Sequence, residues 1–172
     1  EDCDYLICNK AMNGLIGKNL SKRRKEYKAF LKKHENIKVE RIDQNNINRV
    51  DLLSQNNHCE FIEAERIGIR DYFALGLVGI IISSSGEDIG FAICSQKDEE
   101  TLQGHFMKNV CADRGATFHL LKTCIDYFSD AYVFTNIEDD MGKGGLRFFK
   151  KSLDPEIINA YTIELKRGSD FK

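Results

Sequence analysis

The stretch Leu77-Val78-Gly79-Ile80-Ile81-Ile82 constrains the fold more than any other part of the chain. It is apolar throughout and rich in β-branched residues, with no polar side to turn towards water, which is the pattern of a strand covered on both faces. Even extended back to Leu75, the run falls far short of the roughly 20 residues a membrane-spanning helix needs. Ser85-Gly86-Glu87-Asp88 reads as a tight turn, Ile89 to Ser95 as the strand returning from it, and Thr101 to Val110 as a third consecutive strand. A meander buried on both sides needs a helical layer above it and another below.

The rest of the chain supplies those layers. Ala116 to Asp130 sets Phe118, Leu121, Cys124, Ile125 and Phe128 on the inner side of a helix. Asp43 caps a helix that carries Ile47, Val50 and Leu53 on one face and ends near Asn56-Asn57. Glu60 to Leu75 reads as a helix with Phe61, Ala64, Ile67, Tyr72 and Phe73, and Lys143 to Lys151 as a short basic one. Asp4 to Asn9, Ile37 to Ile42, Ala131 to Thr135 and Ile157 to Leu165 read as further strands, with Ala11 to Leu20 a connection rich in Gly and Asn. The expected class is therefore α/β, with a mixed, mostly antiparallel sheet and helices on both faces. Two helices ahead of a meander, then strand–helix–strand, fit the acyltransferase fold called GNAT.

With 172 residues, 42% hydrophobic and 30% charged, the chain is expected to bury a core without staples. A net charge of −2 gives no global pull towards nucleic acid or anionic membrane. Glu1-Asp2-Cys3-Asp4 is acidic where a secretory leader is basic, and the chain is expected to be cytoplasmic, at most at the inner face of the membrane. The six cysteines form no C-x-x-C pair, and Cys8, Cys94, Cys111 and Cys124 sit in apolar stretches, so reduced core thiols are expected. Lys18 to Lys33 holds eight basic residues and one acid, Glu26, a segment of charge +7. Tyr27, Phe30 and Leu31 recur along it at helical spacing, which makes an amphipathic helix with a dense cationic side. Lys22, Arg23 and Arg24 on that side are candidate contacts for RNA phosphates or an anionic headgroup, against the plainer reading of a solvated helix face.

Three further places carry chemistry. Arg114-Gly115-Ala116 links a long strand to a helix, where exposed backbone N–H groups accept a phosphate or carboxylate. In GNAT enzymes this place holds the coenzyme A pyrophosphate, but here Thr117 and Phe118 follow where a second small residue is expected. Asn136-Ile137-Glu138-Asp139-Asp140-Met141-Gly142 follows a buried strand, where α/β proteins place ligands, and Arg147, Lys150 and Lys151 lie just beyond. Its acids suit an ammonium group or the cap of the next helix better than a magnesium ion, for which further clustered carboxylates are lacking. His105 lies mid-strand, aligned by alternation with Gln103 and Met107 and opposite Phe106, and is a candidate general base or a hydrogen-bonded core residue. His34, His58 and His119 show no metal-ligand spacing, so no metal is expected, and no serine- or cysteine-nucleophile motif is visible.

Taken in order, Asp4-Tyr5-Leu6, Tyr27-Lys28-Ala29-Phe30-Leu31, His105-Phe106-x-Lys108, Asp113-Arg114-Gly115-Ala116 and Asn136-x-Glu138-x-Asp140-Met141-Gly142-x-x-Gly145-Leu146-Arg147-x-x-Lys150 resemble the C-terminal domain family of bacterial phosphatidylglycerol lysyltransferases. The resemblance spans essentially the whole chain and is most specific from Asn136 to Lys150. It implies two GNAT-like domains in tandem, of which this chain resembles the second. Residues 1–36 then form a junction strand and basic helix, and residues 37–172 the GNAT-like domain, with a companion domain N-terminal to them. The chain departs from the family at Met107, where a glutamate is common.

The resemblance implies transfer of an aminoacyl group from aminoacyl-tRNA to a phospholipid headgroup or another small acceptor, with no cofactor beyond the tRNA donor. It carries over His105, Glu138 and Asp140 as acid–base or ammonium-binding groups. It also carries over Arg114, Gly115, Ala116, Gly142, Arg147 and Lys150 as substrate or phosphate contacts. The alternatives are an N-acyltransferase using a coenzyme A thioester and a non-catalytic RNA- or lipid-binding half. The transferase reading further expects the Gly115 turn and the Glu138 turn to face one pocket.

Overall fold

The computed structural model describes residues 3–55 and 62–159. Strand β1 (Cys3–Cys8) runs into a short helix α1 (Asn9–Asn13), followed by α2 (Ser21–Lys33) and β2 (Lys38–Arg41). Helices α3 (Ile47–Gln55) and α4 (Ile62–Arg70) lead to the meander β3 (Val78–Ser84), β4 (Glu87–Gln96) and β5 (Thr101–Asn109). Then come α5 (Ala116–Phe128), β6 (Phe134–Asn136), α6 (Gly144–Lys151) and β7 (Glu156–Asn159). The seven strands form one sheet in the order β2-β3-β4-β5-β6-β1-β7, antiparallel except for the β5–β6 pair. The expectations for Asn56-Asn57, His58, Cys59, Glu60, Phe61 and the strand beyond Asn159 lie outside the described residues.

Side-chain alternation divides the core between the two sheet faces. Ile81, Phe91 and Ile93 point to α3 and α4, where they meet Val50, Leu53, Ile69 and Tyr72. Ile80, Ile82, Ala92, Cys94 and Leu102 point the other way, onto Leu120, Cys124 and Phe128 of α5. This double coverage is what the unbroken apolar run from Leu77 demanded. Gly79 has no room for a side chain, since a Cβ there would lie 2.3 Å from the Ala92 carbonyl oxygen. The β3–β4 turn is closed by Ser85 and Gly86, both at positive φ (51° and 90°), the two-residue turn whose twist suits a hairpin.

Three local expectations are corrected. The connection from Ala11 begins as helix α1 because Met12 is drawn into the core and Asn9 is tied to β6 by a 2.8 Å hydrogen bond from the Thr135 hydroxyl. Helix α4 stops at Arg70, with Ala64 and Ile67 outside, while Gly68, Ile69 and Tyr72 face the sheet. Only Cys94 and Cys124 of the described cysteines are core thiols; Cys8 is exposed and Cys111 half-buried. Strand β1 lies between β6 and β7 and pairs with both.

Candidate functional site

Strands β5 and β6 run parallel and pair only at Thr101–Gln103 and Phe134–Asn136. Strand β5 continues to Asn109, while the chain after Asn136 turns away through Glu138, whose φ is 58°. Beyond Gln103 no strand among the described residues pairs with that edge of β5, and the two strands part. A bulge places His105 beside this point: Ile93 pairs with Phe106, but the next residue, Cys94, pairs with Gly104. The extra residue resets the alternation. Phe106 joins the α3–α4 side and Met107 the α5 side, so the expected grouping of His105 with Met107 is not found.

The reset brings together groups that sequence spacing does not reveal. The His105 Nε2 atom lies 2.8 Å from the Ser95 hydroxyl oxygen, and its Nδ1 lies 3.1 Å from Glu138 Oε1. Gln103 donates to the same carboxylate oxygen at 3.0 Å. With Nδ1 protonated towards the carboxylate, Nε2 presents its lone pair to Ser95. Asn136 positions the acid: its side-chain oxygen accepts from the Glu138 backbone N–H at 2.7 Å, and its amide donates to Asp4 at 2.7 Å. Lys97 stands 3.6 Å from the same Asp4 oxygen. His105 and Glu138 retain 30% and 41% side-chain exposure, enough for a ligand to reach them. Gln103 was aligned with His105 by alternation, whereas Ser95 and Asp4 are the members that sequence reasoning missed. Only the register of three neighbouring strands, bulge included, reveals them.

Asp140 lies on the other side of the turn. It accepts from the Tyr5 hydroxyl at 2.6 Å, from Arg147 through two nitrogens at 2.8 and 2.9 Å, and from the Gly142 N–H at 3.0 Å. Arg147 and then Tyr5 hold its carboxyl well below the usual carboxylate range. Lys150 is buried and donates its ammonium protons to the carbonyls of Ile137, Glu138 and Asp139, and burial lowers its pKa. Asp140 pairs with Arg147 and accepts from the Gly142 N–H, and Lys150 holds the backbone of the turn that carries Glu138.

At the glycine turn, Gly115 has a φ of 92°, and a Cβ there would come within 2.9 Å of the Glu26 carbonyl oxygen, so α2 presses directly on the turn. Arg114 is exposed and reaches the Glu26 carboxylate at 3.3 Å, and Ala116 is buried. This turn opens α5, whereas Ser95, the partner of His105, pairs with Gln103 across the sheet on the side of α3 and α4. Phe118 of α5 packs with Tyr5, Ile137 and Met107 in one core cluster.

On α2, Arg23 is buried, bonded to Glu26 at 2.6 Å and to Ser152, with its guanidinium 4.8 Å from the Phe149 ring centre. Arg24 donates to the carbonyls of Leu15 and Gly17. These contacts tie α2 to the end of α6 and to the turn that precedes α2. Lys22, whose ammonium lies 5.3 Å from the Phe148 ring centre, is exposed with Lys18, Lys25, Lys28 and Lys32.

No protein-family model matches the chain, and no curated protein matches it in sequence. Solved structures do match in shape. A conserved protein of unknown function from Bacteroides thetaiotaomicron VPI-5482 is similar over 91% of this chain and 57% of its own, with a TM-score of 0.81 and 23% identity. The structure of L-PGS from Bacillus licheniformis is similar over the same shares, with a TM-score of 0.67 and 13% identity. An aminoglycoside N-acetyltransferase bound to a coenzyme A bisubstrate analogue is similar over 77% of this chain and 99% of its own, with a TM-score of 0.55 and 13% identity. The chain thus spans somewhat over half the length of the first two. Its mostly antiparallel mixed sheet, flanked by helices on both faces, is the GNAT-like acyltransferase fold.

Proposed function

We propose that this domain catalyses acyl transfer where β5 and β6 part, with an aminoacyl ester of tRNA as donor and a phospholipid headgroup or another small nucleophile as acceptor. The observation that carries the reading is the His105 imidazole, held between the Ser95 hydroxyl and the Glu138 carboxylate. Such a ring has a fixed tautomer, a lone pair aimed at a hydroxyl, and a carboxylate that stabilises the imidazolium formed when the ring takes a proton. An acceptor hydroxyl or amine beside Ser95 gives its proton to Nε2, directly or through the Ser95 oxygen, and attacks the donor carbonyl. The bond to the tRNA ribose oxygen then breaks, and His105 returns the proton to that oxygen. Asp4 and Glu138, joined through Asn136, offer carboxylates for the donor's α-ammonium group, the part first expected of Asp140.

The likeness in shape to L-PGS agrees with this donor and acceptor class. The exposed lysines of α2 supply cations for tRNA phosphates or for an anionic membrane surface. No helix among the described residues is long and apolar enough to cross a membrane. Contact with lipid would be made by these cations, from the inner, cytoplasmic surface. A companion GNAT-like domain, N-terminal in the parent protein, would complete the donor site. The covered Gly115 turn speaks against a coenzyme A thioester donor, because its pyrophosphate would meet Glu26.

Titration calorimetry on the full-length native protein separates the donors. A non-hydrolysable aminoacyl-amide of adenosine is expected to bind, and to bind at least tenfold more weakly after Glu138→Gln, while acetyl-CoA releases no heat. Micromolar binding of acetyl-CoA without binding of the aminoacyl analogue overturns the reading.

A further inference from the structure

We propose that His34, Cys111 and Asp113 form a binding site for a divalent transition metal of the zinc class, which clamps the end of α2 onto the β5–α5 turn. The three residues come from two loops that are far apart in sequence, and spacing alone gave no reason to expect a metal there. In the fold, His34 Nε2 lies 2.9 Å from Asp113 Oδ2 and 3.7 Å from Cys111 Sγ. One donor atom from each residue lies within 4.8 Å of the other two. An ion held tetrahedrally at about 2.0–2.3 Å from nitrogen, oxygen and sulfur keeps such donors roughly 3.2–3.8 Å apart. The two spacings from His34 lie within a few tenths of an ångström of these values, and the third lies within 4.8 Å.

The surroundings favour this use. The His34 ring is stacked on Phe30, with ring centres 4.0 Å apart, which fixes the direction of Nε2. Lys33 binds Oδ1 of Asp113 and leaves Oδ2 for the ion, the outer contact that orients a ligating carboxylate. An imidazole, a thiol and a carboxylate together suit zinc or cobalt and are a poor set for magnesium or calcium, which take oxygen donors. On binding, Cys111 loses its thiol proton to solvent and ligates as thiolate. Three protein ligands leave the fourth position to water or to an incoming donor atom. The ion would add a further tie between α2 and the turn that Glu26 already covers. This site is independent of the acyl-transfer reading.

Cobalt(II) supplies the test. Chelator-treated native protein titrated with cobalt is expected to develop a thiolate-to-metal charge-transfer band and the intense visible bands of a tetrahedral ion, saturating at one ion per chain. Cys111→Ser is expected to abolish the charge-transfer band, and Asp113→Asn and His34→Gln to weaken cobalt binding at least tenfold, with circular dichroism confirming that each variant is folded. A charge-transfer band that survives Cys111→Ser places the metal on another thiol and overturns the proposal. So does the absence of any band at excess cobalt in the folded native protein.

Discussion

His119 shows how a single side chain ties acid sensitivity to packing. It lies on the inner side of α5, buried, with its ring stacked against Phe30 at 4.5 Å and Tyr27 at 5.5 Å between centres. Burial, with a smaller contribution from His34, pushes its pKa down from 6.5 to about 4. The unfolded chain therefore binds a proton that the folded one refuses between those two pH values, and stability falls as pH drops through that window. The loss reaches about 3 kcal/mol at its lower end. Denaturant midpoints measured between pH 7 and pH 4 are expected to show this slope, and His119→Phe to remove one proton's worth of it. An unchanged slope in the variant would place the titration elsewhere. His105 contrasts with it. Only His105 was singled out in the sequence, because which histidine is stacked in the core and which stays accessible depends on partners from other elements. Ser95 was hidden for the same reason, since no spacing within one strand reports a neighbour across a bulge.

At the scale of elements, α2 departs most from its charge pattern. Eight cations in one segment invite a reading of the whole helix as a binding surface, yet the fold spends two arginines on itself. Arg23 fills a buried slot between Glu26, Ser152 and the Phe149 ring, and Arg24 caps the Leu15–Gly17 turn. The charges therefore separate by function. Arg23→Ala is expected to cost about 3 kcal/mol, read as a fall in the thermal midpoint, because it leaves the buried Glu26 with only its longer contact to the exposed Arg114. Lys25→Ala with Lys28→Ala is expected to leave stability within about 0.5 kcal/mol. The same pair is expected to reduce the salt slope of tRNA binding by about one for each phosphate no longer neutralised. The reverse pattern would return Arg23 to the ligand surface. The strands were plainer to read: β3, β4 and β5 each match a run of apolar or alternating residues bounded by turn formers. Helix α1 was not, since its five residues are helical only because Met12 and Asn9 are anchored by distant neighbours.

At the scale of the molecule, the proposed site lies where the parallel pair of strands comes apart. The α/β class and the double coverage of the meander follow from hydrophobic period alone. The insertion of β1 between β6 and β7 does not, because pairing along a sheet is set by long-range contacts. That insertion brings Asp4 to Asn136 on one face and Tyr5 to Asp140 on the other. Two acids of the same loop thereby differ in exposure, Glu138 at 41% and Asp140 at 6% of the side chain.

The most direct test is single-turnover transfer from radiolabelled aminoacyl-tRNA to phosphatidylglycerol vesicles by the full-length native protein, compared with its His105→Gln and Ser95→Ala variants. The base assigned to His105 predicts a loss of about 10²–10⁴ in the rate of the His105→Gln variant, with donor binding retained. It predicts a smaller loss for Ser95→Ala. Native transfer rates in His105→Gln protein that is folded and binds the donor would contradict the account.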